Sequence, residues 1–142
     1  MNSITRSVIA VVLGSSMFAC ATSEKSPRTL EDILKFEEKI ELKGYQLGTP
    51  ENSINNFRIN GWSYVDDRHI IVNTGVRDDF LISFQSNCRE AKYSESLAFT
   101  DTAGRLTTSD RFIIKGAGGF DENCYVQTIT HLVKVRGKKP DQ

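Results

Sequence analysis

The sequence predicts a mainly β protein of the α+β class, with an N-terminal amphipathic helix packed on a small antiparallel barrel or sandwich of about six strands. Three observations predict this fold. One segment before residue 44 repeats apolar residues at helical spacing. The segments after it alternate apolar and polar residues with a period of two, as half-buried strands do. Short turns rich in Gly, Asp and Asn separate these segments.

The length and the composition suit one globular domain. The chain has 142 residues, of which 25% are charged and 39% are hydrophobic, and these are ordinary values. Its 18 basic residues balance its 18 acidic residues. A chain this close to neutral has no field that attracts nucleic acid, so no nucleic-acid partner is expected.

Residues 1–19 predict a signal peptide. Arg6 supplies a positive charge, and the short apolar run Val8–Leu13 follows it. The run is too short to span a membrane, which takes about 20 apolar residues. This layout is typical of a secretory leader, so we expect an exported protein.

The end of the leader resembles the lipobox of bacterial lipoproteins, in which a lipidated cysteine becomes the new N-terminus. Ala19 directly precedes Cys20, whereas Met17 and Phe18 depart from the usual lipobox residues. The resemblance implies a lipid anchor that holds Cys20 in the membrane, and Ala21 implies sorting to the outer membrane, facing the periplasm. An ordinary signal peptide, cut near Ala19 or Ala21 to release a periplasmic protein, is the alternative.

The rest of the chain divides into three parts. Residues 20–28 form the lipidated cysteine and a polar tether that contains Pro27. Residues 29–136 form a single β-rich domain that includes the N-terminal helix. Residues 137–142 form a disordered tail at the basic end of the chain.

Cysteines stand at positions 20, 88 and 124. If Cys20 carries lipid, Cys88 and Cys124 remain, and an oxidising compartment favours a disulfide between them. Neither lies in a CxxC pair, so the signatures of zinc binding and of thioredoxin-like redox chemistry are missing.

One amphipathic helix is predicted over Thr29–Lys43. Thr29 and Asp32 approximate a capping box, and Gly44 is a suitable stop. One side of this helix is mainly apolar, and we expect it to cover an open end or face of the β domain. This apolar stripe comprises Leu30, Ile33, Leu34, Glu37 and Ile40.

A three-strand meander is predicted over residues 57–85, after a connector at Gly48–Asn52. A short helical turn is expected within Cys88–Ser96. The remaining predicted strands are Leu97–Thr100, Arg105–Thr108, Asp110–Lys115 and Tyr125–Val135.

No catalytic constellation stands out. The serines lie outside GxSxG and SxxK motifs, and the loop Gly116–Gly119 lacks the P-loop pattern. Asp66, Asp67 and His69 are residue types that bind divalent metals, but Arg68 opposes a cation and a polar turn explains all of them. No metal and no other cofactor is therefore expected.

Trp62 and Tyr64 mark the one candidate face for a ligand or partner. Strand alternation puts them on the face opposite Phe57 and Ile59. That face is either covered by the helix or exposed as a binding surface.

Several short motifs lie along the domain: Ile59-x-Gly61-Trp62, Asp66 in the next turn, Cys88 after a strand, Asp110 opening a later strand, and Cys124-x-Val126. Together they resemble a family of small proteobacterial envelope lipoproteins known as a domain of unknown function. The resemblance covers residues 54–133 and leaves the N-terminal helix outside it. It implies no established activity, cofactor or catalytic residue.

These observations favour a non-enzymatic envelope lipoprotein that binds or scaffolds an envelope protein partner. One alternative is a small-ligand-binding periplasmic β-barrel that uses its mouth or the Trp62/Tyr64 face. Another is an envelope hydrolase, which needs polar residues such as Asp66, His69 and His131 to converge.

Overall fold

The computed structural model describes residues 29–55, 58–76, 78–100, 103–116 and 119–135. The predicted signal peptide, Cys20, the tether and the tail 137–142 lie outside these ranges, as does Phe57. Within the described ranges, no helix combines the length and the apolar character that a membrane span requires.

Helix α1 (Leu30–Leu42) begins at the predicted capping box. The Asp32 amide donates to the Thr29 hydroxyl at 3.2 Å, and the Thr29 amide donates back to the Asp32 carboxylate at 3.2 Å. Both bonds satisfy amides that the helix itself leaves without a partner. Gly44 follows the helix with a φ of 85°, a left-handed conformation that glycine adopts without strain. The helix prediction is confirmed at both ends.

Nine strands form in the described residues. They are β1 (Tyr45–Glu51), β2 (Ser53–Ile54), β3 (Gly61–Asp66), β4 (His69–Asn73), β5 (Asp79–Phe84), β6 (Leu97–Phe99), β7 (Leu106–Thr107), β8 (Arg111–Lys115) and β9 (Asp121–Lys134). A 3-10 turn over Arg89–Lys92 separates β5 from β6. The expected meander is β3, β4 and β5. The prediction of a mainly β fold with an N-terminal helix is confirmed.

Seven of these strands form one antiparallel sheet that curls into a half-barrel. The strand order is β3-β4-β5-β9-β8-β6, and β1 pairs with the C-terminal part of β9. Strands β2 and β7 form a separate two-stranded sheet.

The predicted connector at Gly48–Asn52 is wrong, because most of it belongs to β1. Glycine and proline argue against a strand, but this strand pairs only with β9 and its register shifts between Leu47 and Pro50. Gly48 is required there, since an added Cβ would lie 2.7 Å from the His131 carbonyl oxygen. The close approach of two backbones explains the glycine.

A β-bulge in β9 keeps two of its residues in the core. Phe84 of β5 pairs with Val126, whereas Ser83 pairs with Thr128, so Gln127 is the extra residue. Val126 and Ile129 are both buried in the same apolar cluster as a result.

Apolar side chains cover both faces of the sheet at β4 and β5. On the inner face, the main cluster includes Ile70, Val72, Phe80, Ile82 and Phe84. On the outer face, Ile71 and Leu81 pack with residues from α1, β1 and β9. Alternating residues of these strands therefore reach two different cores, which explains their nearly unbroken apolar sequence.

Helix α1 lies on the outer face, but the predicted apolar stripe is wrong in its members. Ile40 is fully buried there, and Phe36 packs against the same cluster. Leu30, Ile33 and Leu34 are exposed instead. Within α1 the sheet therefore buries Ile40, a member of the predicted stripe, and partly covers Phe36, which the stripe did not include.

Asp79 is a buried carboxylate at the start of β5, with 1% of its surface exposed. The Asn73 amide donates to its Oδ1 at 2.6 Å, and the Lys134 ammonium lies 2.8 Å from its Oδ2. The hydrogen bond to Asp79 raises the pKa of Lys134. Asn73 and Lys134 offset the free-energy cost of burying the Asp79 carboxylate, and they join β4, β5 and β9 around it.

Cys88 and Cys124 form the expected disulfide, with their Cα atoms 5.8 Å apart. Both side chains are buried in the main cluster. The bond joins the segment after β5 to the N-terminal part of β9 and closes a loop with a sequence separation of 36 residues.

Replacing both cysteines, as Cys88→Ala/Cys124→Ala, is expected to lower the free energy of unfolding by about 3–4 kcal/mol, the loop-entropy value for this separation. Urea unfolding monitored by Trp62 fluorescence measures the loss. Cys20→Ala is the matched control and leaves stability unchanged. Equal stability of the double variant and the control would contradict the prediction.

Candidate binding cleft

A cleft of about 570 Å³ lies between α1 and the β3–β4 hairpin. Four side chains of α1 line one wall: Asp32, Lys35, Phe36 and Lys39. Tyr64, the turn Asp66–His69 and Asn87 line the other. The volume lies within the usual range for small-molecule sites. Several polar groups that are fixed by hydrogen bonds converge on this cleft, which makes it the candidate site.

The turn between β3 and β4 arranges two of these groups through local hydrogen bonds. Asp66 Oδ1 accepts from the Arg68 amide at 2.9 Å and lies 2.6 Å from His69 Nδ1. The register shift after Tyr64 makes Asp66 pair directly with His69. The sequence Asp-Asp-Arg-His therefore forms a turn in which a carboxylate holds the imidazole.

His69 is held by two contacts and is only 5% exposed. Its ring lies 4.4 Å from the Phe36 ring, measured between centroids, and its Nδ1 contacts Asp66. Its Nε2 has no hydrogen-bond partner in the part of the chain that the structure describes. The fixed ring thus keeps one nitrogen for a ligand at the cleft wall.

The charge on Asp66 is stabilised where it lies. Burial raises its pKa, but hydrogen bonds from His69 and the Arg68 amide outweigh burial, and the positive charges of His69 and Lys39 add to them. The net pKa lies below the ordinary value of 3.8. The carboxylate is therefore ionised across the neutral range.

Tyr64 adds a second fixed pair to the same wall. Its hydroxyl donates to Asp67 Oδ1 at 2.6 Å. Burial raises the pKa of Tyr64 strongly. The Asp67 carboxylate raises this pKa further, because it accepts a hydrogen bond from the neutral phenol and repels the phenolate. The phenol therefore stays neutral and acts as a donor that is already committed.

The two cations nearest the turn have different roles. The Arg68 guanidinium donates to the carbonyl oxygens of Phe84 and Gln85 and to Gln127 Oε1, at 3.1–3.2 Å. It thereby fixes the turn to the bulged part of β9. Lys39 forms no ion pair among the described residues, whereas Lys35, on the same wall, is paired with Glu31, so the Lys39 ammonium is the cleft cation without a charged partner there.

Trp62 and Tyr64 lie on the inner face of the sheet, where both pack against the main cluster. They pair with Val72 and Ile70, which belong to that cluster. The expectation that they lie opposite Ile59 is wrong, because Ile59 precedes β3 and packs on the same cluster. Helix α1 lies on the other face and does not cover them.

The inner face beside Trp62 and Tyr64 forms a shallow depression of about 430 Å³ with the 3-10 turn. Its wall includes Lys92 and Glu95. Tyr64 borders both this depression and the cleft, whereas Trp62 borders only the depression. The sequence-based candidate face is therefore split between two surfaces.

His131 does not join Asp66 and His69. It pairs with Phe80, and the two ring centroids are 5.2 Å apart on the inner face. His69 pairs with Ser83, on the outer face. The hydrolase hypothesis that required these three residues to converge is wrong.

A three-ligand metal group does not form from Asp66, Asp67 and His69 in the described ranges. The one such group found there comprises Cys88, Glu122 and Cys124. The disulfide uses both of its sulfur atoms, so that group lacks the thiolates that a metal requires.

Sequence reasoning found Asp66, Asp67 and His69 but missed the opposing wall. Phe36 and Lys39 lie about two and two and a half turns into α1, in a segment predicted only as a cover for the sheet. Their spacing of three residues puts them on one side of the helix. A charged and an aromatic side chain on one helical side could have indicated that this side borders a polar site. The sequence contains nothing that joins this side to the β3–β4 turn.

One helix on the outer face of a curled antiparallel sheet, with a polar cleft between them, defines the structural class. The chain belongs to a family of unknown function, DUF6491, whose model matches residues 3–141. The match is wider than the resemblance to residues 54–133 and includes α1. Neither a curated protein nor a solved structure matches the chain.

Asp66→Asn is expected to lower the free energy of unfolding at neutral pH by about 1–3 kcal/mol, because a charged acceptor is lost. The depressed pKa of Asp66 stabilises the native chain above 3.8, and this stabilisation is lost as the pH falls through the lower native value. The variant therefore loses less stability on acidification than the native chain. Urea unfolding at neutral and acidic pH measures both.

The control for this experiment is Asp121→Asn, an exposed strand residue. It should keep the neutral-pH stability and the acid sensitivity of the native chain. The same acid dependence in the native chain and in Asp66→Asn would contradict the prediction.

Proposed function

We propose that this protein is an exported lipoprotein of the bacterial envelope, held in the outer membrane by acyl chains on Cys20. Its β domain is a non-enzymatic binding module that faces the periplasm. A partner in the envelope binds it through the cleft between α1 and the β3–β4 hairpin.

The observation that carries the anchor is the pairing of the cysteines. The sequence has three, and the disulfide uses Cys88 and Cys124. Cys20 is thereby left without a cysteine partner in its own chain, as a lipid anchor requires. A buried disulfide is also compatible with an oxidising compartment. The family match reaches back to residue 3, so the apolar leader belongs to the shared pattern.

The acyl chains would retain the protein in the membrane, and the tether would set how far the β domain lies from it. Each buried CH₂ contributes about 0.8 kcal/mol, so several acyl chains hold a protein in the membrane. The segment Ala21–Arg28 spans at most roughly 30 Å, at about 3.3–3.6 Å per residue. The β domain is therefore kept within that distance of the bilayer.

The cleft supports the binding role because hydrogen bonds hold the groups of its β3–β4 wall and two of its groups are uncommitted. Arg68, Asp67 and Tyr64 are held by contacts within the domain. Lys39 remains to donate to a carboxylate or carbonyl group of the partner, and His69 Nε2 remains to accept from a hydroxyl or amide when Nδ1 carries the proton shared with Asp66. A prepared site of this kind loses little conformational entropy on binding.

A small polar ligand that fills the cleft is the second candidate. The cleft volume of about 570 Å³ favours it, because that space suits a molecule as well as a projecting side chain. A ligand that binds only the folded domain would raise its melting temperature.

Intact-mass analysis of the protein extracted from membranes tests the anchor. We expect the mass of a chain that begins at Cys20 and carries acyl groups, with no free thiol at Cys88 or Cys124. Cys20→Ser should abolish both the added mass and the membrane fraction. A native chain whose Cys20 is unmodified would overturn the lipoprotein proposal.

Crosslinking and capture from native envelopes test the cleft. The variant Lys39→Glu reverses the accessible charge and is expected to lose the captured partner by about tenfold or more, the effect of one lost charge-assisted contact. Lys115→Glu, on an exposed part of β8, is the matched control and should keep the partner. Equal recovery by both variants would exclude the cleft as the binding surface.

A further inference from the structure

The first two turns of α1 carry an exposed apolar group, which we call the N-terminal patch. It comprises Leu30, Ile33 and Leu34, whose exposures are 73%, 40% and 57%. Residues three and four apart lie on one side of a helix, so these side chains are neighbours. Water-exposed side chains of this size cost free energy when they stay hydrated.

Leu30 and Leu34 lie on a side of α1 that the described part of the domain leaves exposed, whereas Ile33 borders the sheet side, about 20° from Ile40 at 100° per residue. Phe36 and Ile40 direct a neighbouring side onto the sheet. At 100° per residue, Lys35 and Lys39 lie on the far side from Leu30 and Leu34, along the cleft. The helix thus has a sheet side, a cleft side and an uncovered apolar side.

The patch is held in a fixed position at the end of the tether. The capping box of Thr29 and Asp32 starts the helix one residue before Leu30. The eight residues of Ala21–Arg28 separate Thr29 from Cys20. Whatever holds Cys20 therefore keeps Leu30, ten residues further along the chain, within roughly 35 Å of itself, at about 3.3–3.6 Å per residue.

We infer that the N-terminal patch inserts into the headgroup boundary of the lipid bilayer that holds Cys20. This inference rests on the proposed lipid anchor, which brings a bilayer within reach of the patch. A tethered surface needs little affinity of its own, because its effective concentration near the membrane is high. Three apolar side chains on one helical side form an interfacial membrane contact of the ordinary kind.

The charges around the patch predict which lipid it prefers. Glu37 and Glu41 continue its side of the helix for two more turns, and both are exposed. The lysines of the helix near it, Lys35 and Lys39, lie on the cleft side. Insertion therefore involves the first two turns only and is weaker on anionic than on zwitterionic lipid.

Quenching by brominated lipid tests the inference. The lipidated full-length protein is reconstituted into vesicles of ordinary or dibrominated phosphatidylcholine, and tryptophan emission is compared. A tryptophan introduced by Leu34→Trp should lose on the order of half its emission in brominated lipid, since interfacial helices insert roughly 5–10 Å. Adding Ile33→Asp should remove most of that quenching. Admixed anionic lipid should reduce it.

The matched control is Leu42→Trp. Leu42 is 60% exposed, on another side and at the other end of α1. Its introduced tryptophan should stay unquenched, and Trp62 gives the same background in both variants. Equal quenching at positions 34 and 42 would overturn the inference.

The outcomes separate this inference from the proposal on which it rests. A protein that does not float with vesicles overturns the proposed lipid anchor, and the inferred insertion of the N-terminal patch fails with it. A protein that floats with vesicles while the tryptophan at position 34 stays unquenched overturns only the inferred insertion of the N-terminal patch. Blue-shifted emission without quenching, increasing with the protein-to-lipid ratio, would assign the patch to a second copy and would also overturn it.

Discussion

The pairing of β9 is the constraint on which the rest of the fold depends. This strand of 14 residues pairs with β5 along one edge and with β8 and β1 at the two ends of the other. Without it, the meander, the β6–β8 pair and the helix with β1 would be three separate pieces. The pieces come from distant parts of the chain, so the fold is completed only when its last strand is placed.

Two features secure β9 in that position. The disulfide joins Cys124, in its N-terminal part, to the segment that follows β5. At its C-terminal end, Lys134 reaches the buried Asp79 of β5. Between them, the bulge at Gln127 keeps Val126 and Ile129 in the core and offers its side chain to Arg68. Arg68, which lines the cleft, is therefore bonded to the same strand that completes the sheet.

The sequence predicts what is local in this fold and misses what depends on distant contacts. The capping box and the alternation around Phe80 lie within short segments, so the helix and the meander could be placed. Strand β1 was missed because Gly48 is explained only by the His131 backbone beside it. The cleft needs Phe36 from the helix and His69 from β4 to meet, and no spacing in the chain encodes that contact. The apolar stripe was misjudged for the same reason, since burial depends on where α1 meets the sheet.

The two proposals fit one orientation of the domain because α1 uses different sides for them. Leu30 and Leu34 of the N-terminal patch lie roughly 140–180° around the helix from Lys39 of the cleft, at 100° per residue. With the patch in the bilayer, the cleft faces away from the lipid and stays open to the periplasm. Lys39 and His69 would then be presented at a fixed distance from the membrane, within the reach that the tether sets. A cleft on the patch side would be closed by the same insertion, so under the two proposals the opposite placement would leave the cleft of an anchored domain open to a partner.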